Sequence, residues 1–253
     1  MCGRFSLGID PESVMDDLAW VSPPSEAVVS AHPEAWRPRF NVAPGQPALV
    51  IGRRDDRPPT FAWMIFGLVP HWAKPGSSAL SRPAVNARVE TVAERATFRD
   101  PFRRRRCLVP VDGWYEWSGE GDARQAHWVH DPSGALLTLG AVWDRWRDPT
   151  SGASRFGFAI LTTPSRGVVA ALHPRMPFVV DASQRDAWLS AHPFEGSFEP
   201  ELGPFPASDR RAGARRHVRP PDGGRTLELQ ARPVGRRVND VHHDDPSCRE
   251  EAS

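Results

Sequence analysis

Lysine is almost absent from this chain: Lys74 is the only one among 32 basic residues, and every other is arginine. That bias reflects genomic composition as much as function. Cysteine is scarce as well. Cys2, Cys107 and Cys248 are an odd number without framework spacing, which excludes a disulfide scaffold and leaves reduced thiols. No apolar stretch approaches the ~20 residues that cross a bilayer. No basic segment followed by an apolar one opens the chain either, so neither a membrane span nor a secretory signal is expected, and a cytoplasmic protein follows. His242, His243 and Cys248 match no common metal spacing, so no metal site is expected there.

What is present fits a globular protein: 253 residues, 40% hydrophobic and 25% charged. With 27 prolines and 20 glycines, turns are plentiful and helices must be short. The net charge of +1 conceals an uneven distribution. Residues 1–36 hold one arginine against six acids, residues 37–106 fourteen basic residues against five acids, and residues 107–253 seventeen against twenty. The middle stretch is a candidate for phosphate contact.

Cys2 is the residue with unusual chemistry. Loss of Met1 before a small side chain would leave an α-amine and a thiol on adjacent carbons. These groups titrate near pH ~8 and ~8.5, so both are partly nucleophilic near neutrality. Such a 1,2-aminothiol condenses with an aldehyde to an imine, and the thiolate then closes a thiazolidine ring. The plain alternative is a chance residue on a frayed terminus.

Along the chain, Asp10-Pro11 reads as a helix start, with Val14, Met15, Leu18 and Ala19 at helical spacing, so a helix is predicted over 11–20. Strands are predicted at 48–51, 61–69, 107–111, 126–130, 136–144, 156–163 and 178–180, with a last one over 227–238 interrupted by Pro233. Further helices are predicted at about 90–97, from 164 to 172, and over 183–191. A Pro-, Gly- and Arg-rich stretch at 203–225 reads as an extended loop. Many short strands with few helices give a β-rich α+β class. One domain over 1–240 is expected, followed by an acidic, frayed tail over 241–253.

Four residues are candidates for chemistry. Glu116 lies in the run Trp114-Tyr115-Glu116-Trp117, where strand alternation puts it on the face of Trp114; a carboxyl among indoles has a raised pKa suited to proton transfer. Its alternative is a solvent-facing strand residue. His173 sits between an apolar segment and Pro174, with Pro177 beyond, which fits a positioned imidazole as well as a structural one. Asn86 could equally be a cap or an Asx-turn. Trp72, in the Pro-bounded turn His71–Pro75, could stack a base, and Arg4, Arg39 and Arg88 could hold phosphates. The run Arg103–Arg106 cannot all serve one groove, because alternate strand residues face opposite ways.

Together the segments resemble the SOS response-associated peptidase (SRAP) family of abasic-site processing proteins. The matching pieces are Met1-Cys2-Gly3-Arg4-Phe5, Asn41-Val42-Ala43-Pro44, Gly67–Lys74, Asn86–Thr91, Asp112–Trp117, His173–Pro177 and Val238-Asn239, in the family's order. The resemblance implies an α+β, β-rich single domain of mostly antiparallel strands in an open barrel-like arrangement. It implies Cys2, Asn86, Glu116 and His173 as the catalytic set, and Arg4, Arg39, Asn41, Trp72, Arg88 and Arg175 as contacts to single-stranded DNA. The implied activity is a covalent, reversible thiazolidine with abasic sites, with self-cleavage at Met1 and a lyase side reaction, in the DNA damage response. The partner would be single-stranded DNA containing abasic sites, bound by a monomer without cofactor, nucleoid-associated when on DNA.

The sequence departs from the family at Phe66, where a tryptophan is usual, at Gly235, where serine is common, and in the basic stretch 203–225. None of these touches the catalytic set. Two alternatives stay open. One is an N-terminal-nucleophile amidohydrolase, since some glutamine amidotransferases also begin Met-Cys-Gly. The other is a non-catalytic single-strand binding module.

Overall fold

Apolar residues alternating with a second apolar set, rather than with polar ones, make strands that must be covered on both faces. That is how the middle of this chain is built. The computed structural model describes residues 2–24, 36–54, 57–190 and 228–252. Twelve strands occur among them: β1 Phe5–Leu7, β2 Arg39–Val42, β3 Pro47–Gly52, β4 Thr60–Phe66, β5 Asn86–Arg88, β6 Arg106–Val111, β7 Gly113–Ser118, β8 Gln125–His130, β9 Leu137–Arg147, β10 Ser154–Pro164, β11 Arg175–Pro177 and β12 Gln230–Val234. Short helices intervene: α1 Pro11–Asp17, α2 Ser78–Ser81, α3 Arg99–Arg104 and α4 Arg185–Leu189.

The strands form two sheets. One runs β12-β8-β7-β1-β2; the other runs β11-β10-β4-β3-β6-β9. Pairing of β9 with β10 over seven residue pairs, Ser154↔Arg147 to Ile160↔Ala141, returns the second sheet on itself. The expected β-rich α+β class is therefore found, with the barrel closed rather than open. Pairing is mostly antiparallel, except where β10 runs parallel to β4 and to β5.

The two faces of the barrel strands bury different sets. Val50, Phe66, Val109, Leu139, Phe158 and Ile160 pack with Phe5, Trp114 and Val129 of the other sheet, and Cys2 lies within this cluster. The opposite face, with Leu49, Ile51, Leu108, Val142, Ala159 and Leu161, is covered by Val14 of α1, Phe102 of α3, and Trp188 and Leu189 of α4. β10 changes neighbours along its length. Its first half lies between β9 and β4, and its end lies between β11 and β5. Gly157 permits the crossing: a Cβ there would stand 2.3 Å from the Gly67 carbonyl oxygen.

Several local expectations are corrected. Residues 90–97 form successive turns instead of a helix, and the helix follows at α3; β-branched Thr91, Val92 and Thr97 favour a helix weakly. The apolar stretch after Pro164 is a 3₁₀ turn, Gly167–Ala171. Residues 178–180 contribute only a single bridge, Leu139↔Val179. Asp10 does cap α1, accepting from the Ser13 backbone N–H at 2.9 Å.

The stretch beyond 241 was expected to fray, yet it docks. Asp244 accepts from the backbone N–H groups of Phe40 and Asn41 at 2.6 and 2.9 Å, Cys248 is buried, and Glu251 bridges Val234. Hydrogen bonding, not an apolar pattern, fixes this segment. The basic stretch 203–225 lies outside the described residues. No described helix is long and apolar enough to cross a membrane.

Candidate active site

Cys2 is fully buried, one residue past Gly3 from the start of β1. Phe5 pairs with Trp114 of β7, and Tyr115 N–H donates to the Arg4 carbonyl at 3.0 Å. This register brings Glu116 to the end of the chain. Trp114 lies in the cluster that holds Cys2, whereas Tyr115 lies in a separate one, so alternation puts Glu116 on the Trp114 face, the side on which Cys2 lies. Glu116 is 1% exposed.

Burial pushes the Cys2 thiol well above its ordinary range, and the Glu116 charge raises it further. Burial likewise raises the Glu116 carboxyl, and the His173 imidazole acts in the opposite direction. Each of the three residues is thus within electrostatic reach of the next. Asn86 completes the set: its Nδ2 donates to the Cys2 carbonyl at 3.0 Å, and its buried Oδ1 has no partner among the described residues.

The change of neighbours along β10 explains the convergence. Asn86 opens β5, which pairs with Ile160 to Thr162; β11, which His173 precedes, pairs with Thr162 to Pro164. The two strands flank the same end of β10. His173 is held by its own turn: Nδ1 stands 3.0 Å from the Arg175 N–H and 2.9 Å from the Arg175 carbonyl. Either protonation state of Nδ1 has a partner there. His173 N–H also donates to Val169 O.

Six residues were expected on a DNA surface, and the structure divides them. Trp72 is 53% exposed, the most exposed large apolar side chain among the described residues. Arg88 is exposed on β5. Arg4 is half-buried; its Nη1 donates to Asn41 Oδ1 and the Val238 carbonyl, and its guanidinium lies 5.9 Å from the Trp117 ring. Arg175 pairs with Glu90 through both terminal nitrogens and also reaches the Thr162 carbonyl.

Asn41 is a correction. It is fully buried, and its Nδ2 serves the carbonyls of Val238, Asp240 and His243. Its amide fastens the C-terminal segment and is closed to a strand. Arg39 is a second correction: its side chain engages Asp244, Gln46 Oε1 and the Pro47 carbonyl, and only 11% of it is exposed.

Sequence reasoning missed the supports behind these residues. Trp117 Nε1 donates to Asn239 Oδ1 at 2.8 Å, and Arg124 lies 5.2 Å from the same ring. Asp144, 2% exposed, receives His71 and Arg105. The motif position of Asn239 was the one available signal. No group of three or more His, Cys, Asp or Glu suited to a metal occurs among the described residues.

The arrangement is a buried cysteine with a carboxyl, an imidazole and an amide around it, beside exposed cationic and aromatic side chains. Comparison with known proteins points to one family. Residues 1–241 match the profile described as SOS response associated peptidase (SRAP). The chain is 31% identical over 193 residues to the abasic site processing protein YedK of Escherichia coli, covering 75% of this chain and 79% of that one. It is 27% identical over 215 residues to the abasic site processing protein YoqW of Bacillus subtilis, with 84% and 91% covered. A crystal structure from Bacteroides thetaiotaomicron superposes over 100% of both chains with a TM-score of 0.77 at 19% identity, a likeness of fold. This chain belongs to the SOS response associated peptidase family.

Proposed function

We propose that this protein captures abasic sites in single-stranded DNA by forming a thiazolidine at Cys2 once Met1 has been removed. The observation that carries the reading is the hydrogen bond from Asn86 to the Cys2 carbonyl, in a site where Glu116 acts on the thiol and His173 on Glu116. Relatives named as abasic site processing proteins support it.

The raised thiol sets the order of events. A neutral thiol waits while the α-amine, which becomes nucleophilic near pH ~8, attacks C1′ of the ring-opened sugar. His173 assists ring opening by proton transfer at the sugar oxygen. Glu116 takes a proton from the attacking amine and returns one to the departing hydroxyl, so the carbinolamine loses water to an imine. The thiol then adds to C1′ as its proton leaves, closing the ring. The sum is aldehyde plus aminothiol giving thiazolidine plus one water. Asn86 holds the Cys2 backbone within reach of C1′. Proton transfer of this type contributes ~10²–10⁴-fold, and positioning adds to it.

An imine also acidifies C2′, so strand cleavage by β-elimination is the competing outcome that ring closure suppresses. Peptidase action on this reading is the removal of Met1. Arg4 and Arg88 supply phosphate contacts and Trp72 a stacking face; the protein works as a monomer on the strand.

The test is incubation with a single strand carrying one abasic site. The parent protein is expected to give a heat-stable adduct, and Cys2→Ala with Met1 removed is expected to lose it while cleaving the strand. A heat-stable adduct with Cys2→Ala would sink the ring-closure step. Glutamine hydrolysis without any adduct would point instead to an amidohydrolase.

A further inference from the structure

The turn that presents Trp72 is fastened with unusual completeness for an exposed loop. Asp144 of β9 is buried at 2% exposure, on the face of the barrel strands away from Cys2. Its Oδ2 accepts from the His71 backbone N–H at 2.8 Å and faces His71 Nδ1 at 2.9 Å. A carboxylate only accepts, so the ring proton sits on Nδ1. Its Oδ1 accepts from the Arg145 backbone N–H at 2.8 Å and pairs with Arg105 at 3.2 Å. Two residues further along β9, Trp146 Nε1 donates to the Ala73 carbonyl at 2.8 Å. Within the turn, Ala73 N–H donates to Pro70 O. His71 and Ala73, the residues on either side of Trp72, are both bonded to β9, while the indole between them stands in solvent.

We infer that Asp144, with Trp146, is a positioning residue for nucleic-acid binding: it holds the His71–Ala73 turn rigid so that Trp72 meets a base without first losing conformational freedom. A base that stacks on a mobile side chain loses part of the gain to the ordering of that side chain, and a preformed platform does not. Buried carboxylates carry a desolvation cost that a bare structural contact does not require. Here three backbone or side-chain donors from the turn and β9, together with Arg105, offset it. Arg105 thereby acquires a role that its place in the run Arg103–Arg106 concealed.

The inference rests on Trp72 serving as a stacking face, and it makes no use of the covalent step. It is therefore tested on an intact single-stranded oligonucleotide without any abasic site. Asp144→Asn is expected to weaken the dissociation constant about threefold to tenfold, while the crosslinking rate on abasic DNA at saturation holds. In a Trp72→Ala background the same substitution is expected to add nothing. Trp146→Phe, which removes one N–H and keeps the ring, is expected to give a smaller loss of the same kind, and it decides the matter if Asp144→Asn fails to fold.

Parent-like affinity in a folded Asp144→Asn, or in Trp146→Phe when Asp144→Asn does not fold, overturns the inference. So does a loss that adds in full to that of Trp72→Ala. A parent protein that binds the intact strand but forms no adduct on abasic DNA would overturn the proposed function and leave this inference standing.

Discussion

A carboxyl that is 1% exposed and raised by burial from an ordinary value of 4.5 has a consequence for stability as well as for proton transfer. Where the folded-state pKa exceeds the unfolded one, the native protein holds a proton that the unfolded chain has released. Stability is then highest below pH 4.5, falls as the pH rises from there, and levels off above the folded-state pKa. Each unit of that interval costs about 1.4 kcal/mol. Glu116→Gln removes the titration, so its melting temperature relative to the parent is expected to climb from pH 4.5 upward and to level off above the folded-state pKa. A shift of a few degrees per unit is in scale for a chain of this size. A constant difference across the pH range would show that the cost lies in another group. The same substitution is expected to slow adduct formation, because a glutamine accepts no proton from the attacking amine.

At the scale of elements, the C-terminal segment is the part least readable in advance. Asp244 gathers Arg39, Arg37 and the N–H groups of Phe40 and Asn41, while Asn41 in turn holds three carbonyls of residues 238–243. β2 is an edge strand, and this segment supplies its missing partners. Bonds to a charged acceptor contribute about 1.5–3 kcal/mol each and do not add fully, so Asp244→Ala is expected to cost about 3 kcal/mol in urea unfolding. A loss below about 1 kcal/mol would mean that the segment is held mainly by Cys248 and its apolar neighbours. The long strands β9 and β10, eleven residues each, were legible because apolar runs of that length leave a pattern. β1, β2 and β5, of three or four residues, are too short for alternation to register. Asn41 and Asp244 stand 203 positions apart, and no local signal connects them. The convergence of Asn86, Glu116 and His173 on Cys2 came from motif order; periodicity alone placed only Glu116, on the face of Trp114.

Over the whole molecule, the excess of positive charge in residues 37–106 overstates what a strand would meet. Arg39 is engaged with Asp244, Arg53 with Asp186, Arg105 with Asp144, and Arg106 caps the carbonyls of Phe102, Trp188 and Ser190. Four of the fourteen basic residues in that stretch are thus internal stitching. Salt dependence separates the two roles, since each phosphate neutralised on a single strand contributes a slope of about 0.7 to the logarithmic plot of affinity against salt. Arg88→Ala, at the exposed position of β5, is expected to lower that slope by about 0.7 and to weaken intact and abasic strands alike. Arg39→Ala is expected to leave the slope unchanged, because its guanidinium faces Asp244 and Gln46, and to show its loss in unfolding instead. The measurement is a titration of an intact oligonucleotide across a salt series, carried out where all variants are folded. If Arg39→Ala removes the increment and Arg88→Ala does not, the strand runs over β2 rather than past β5.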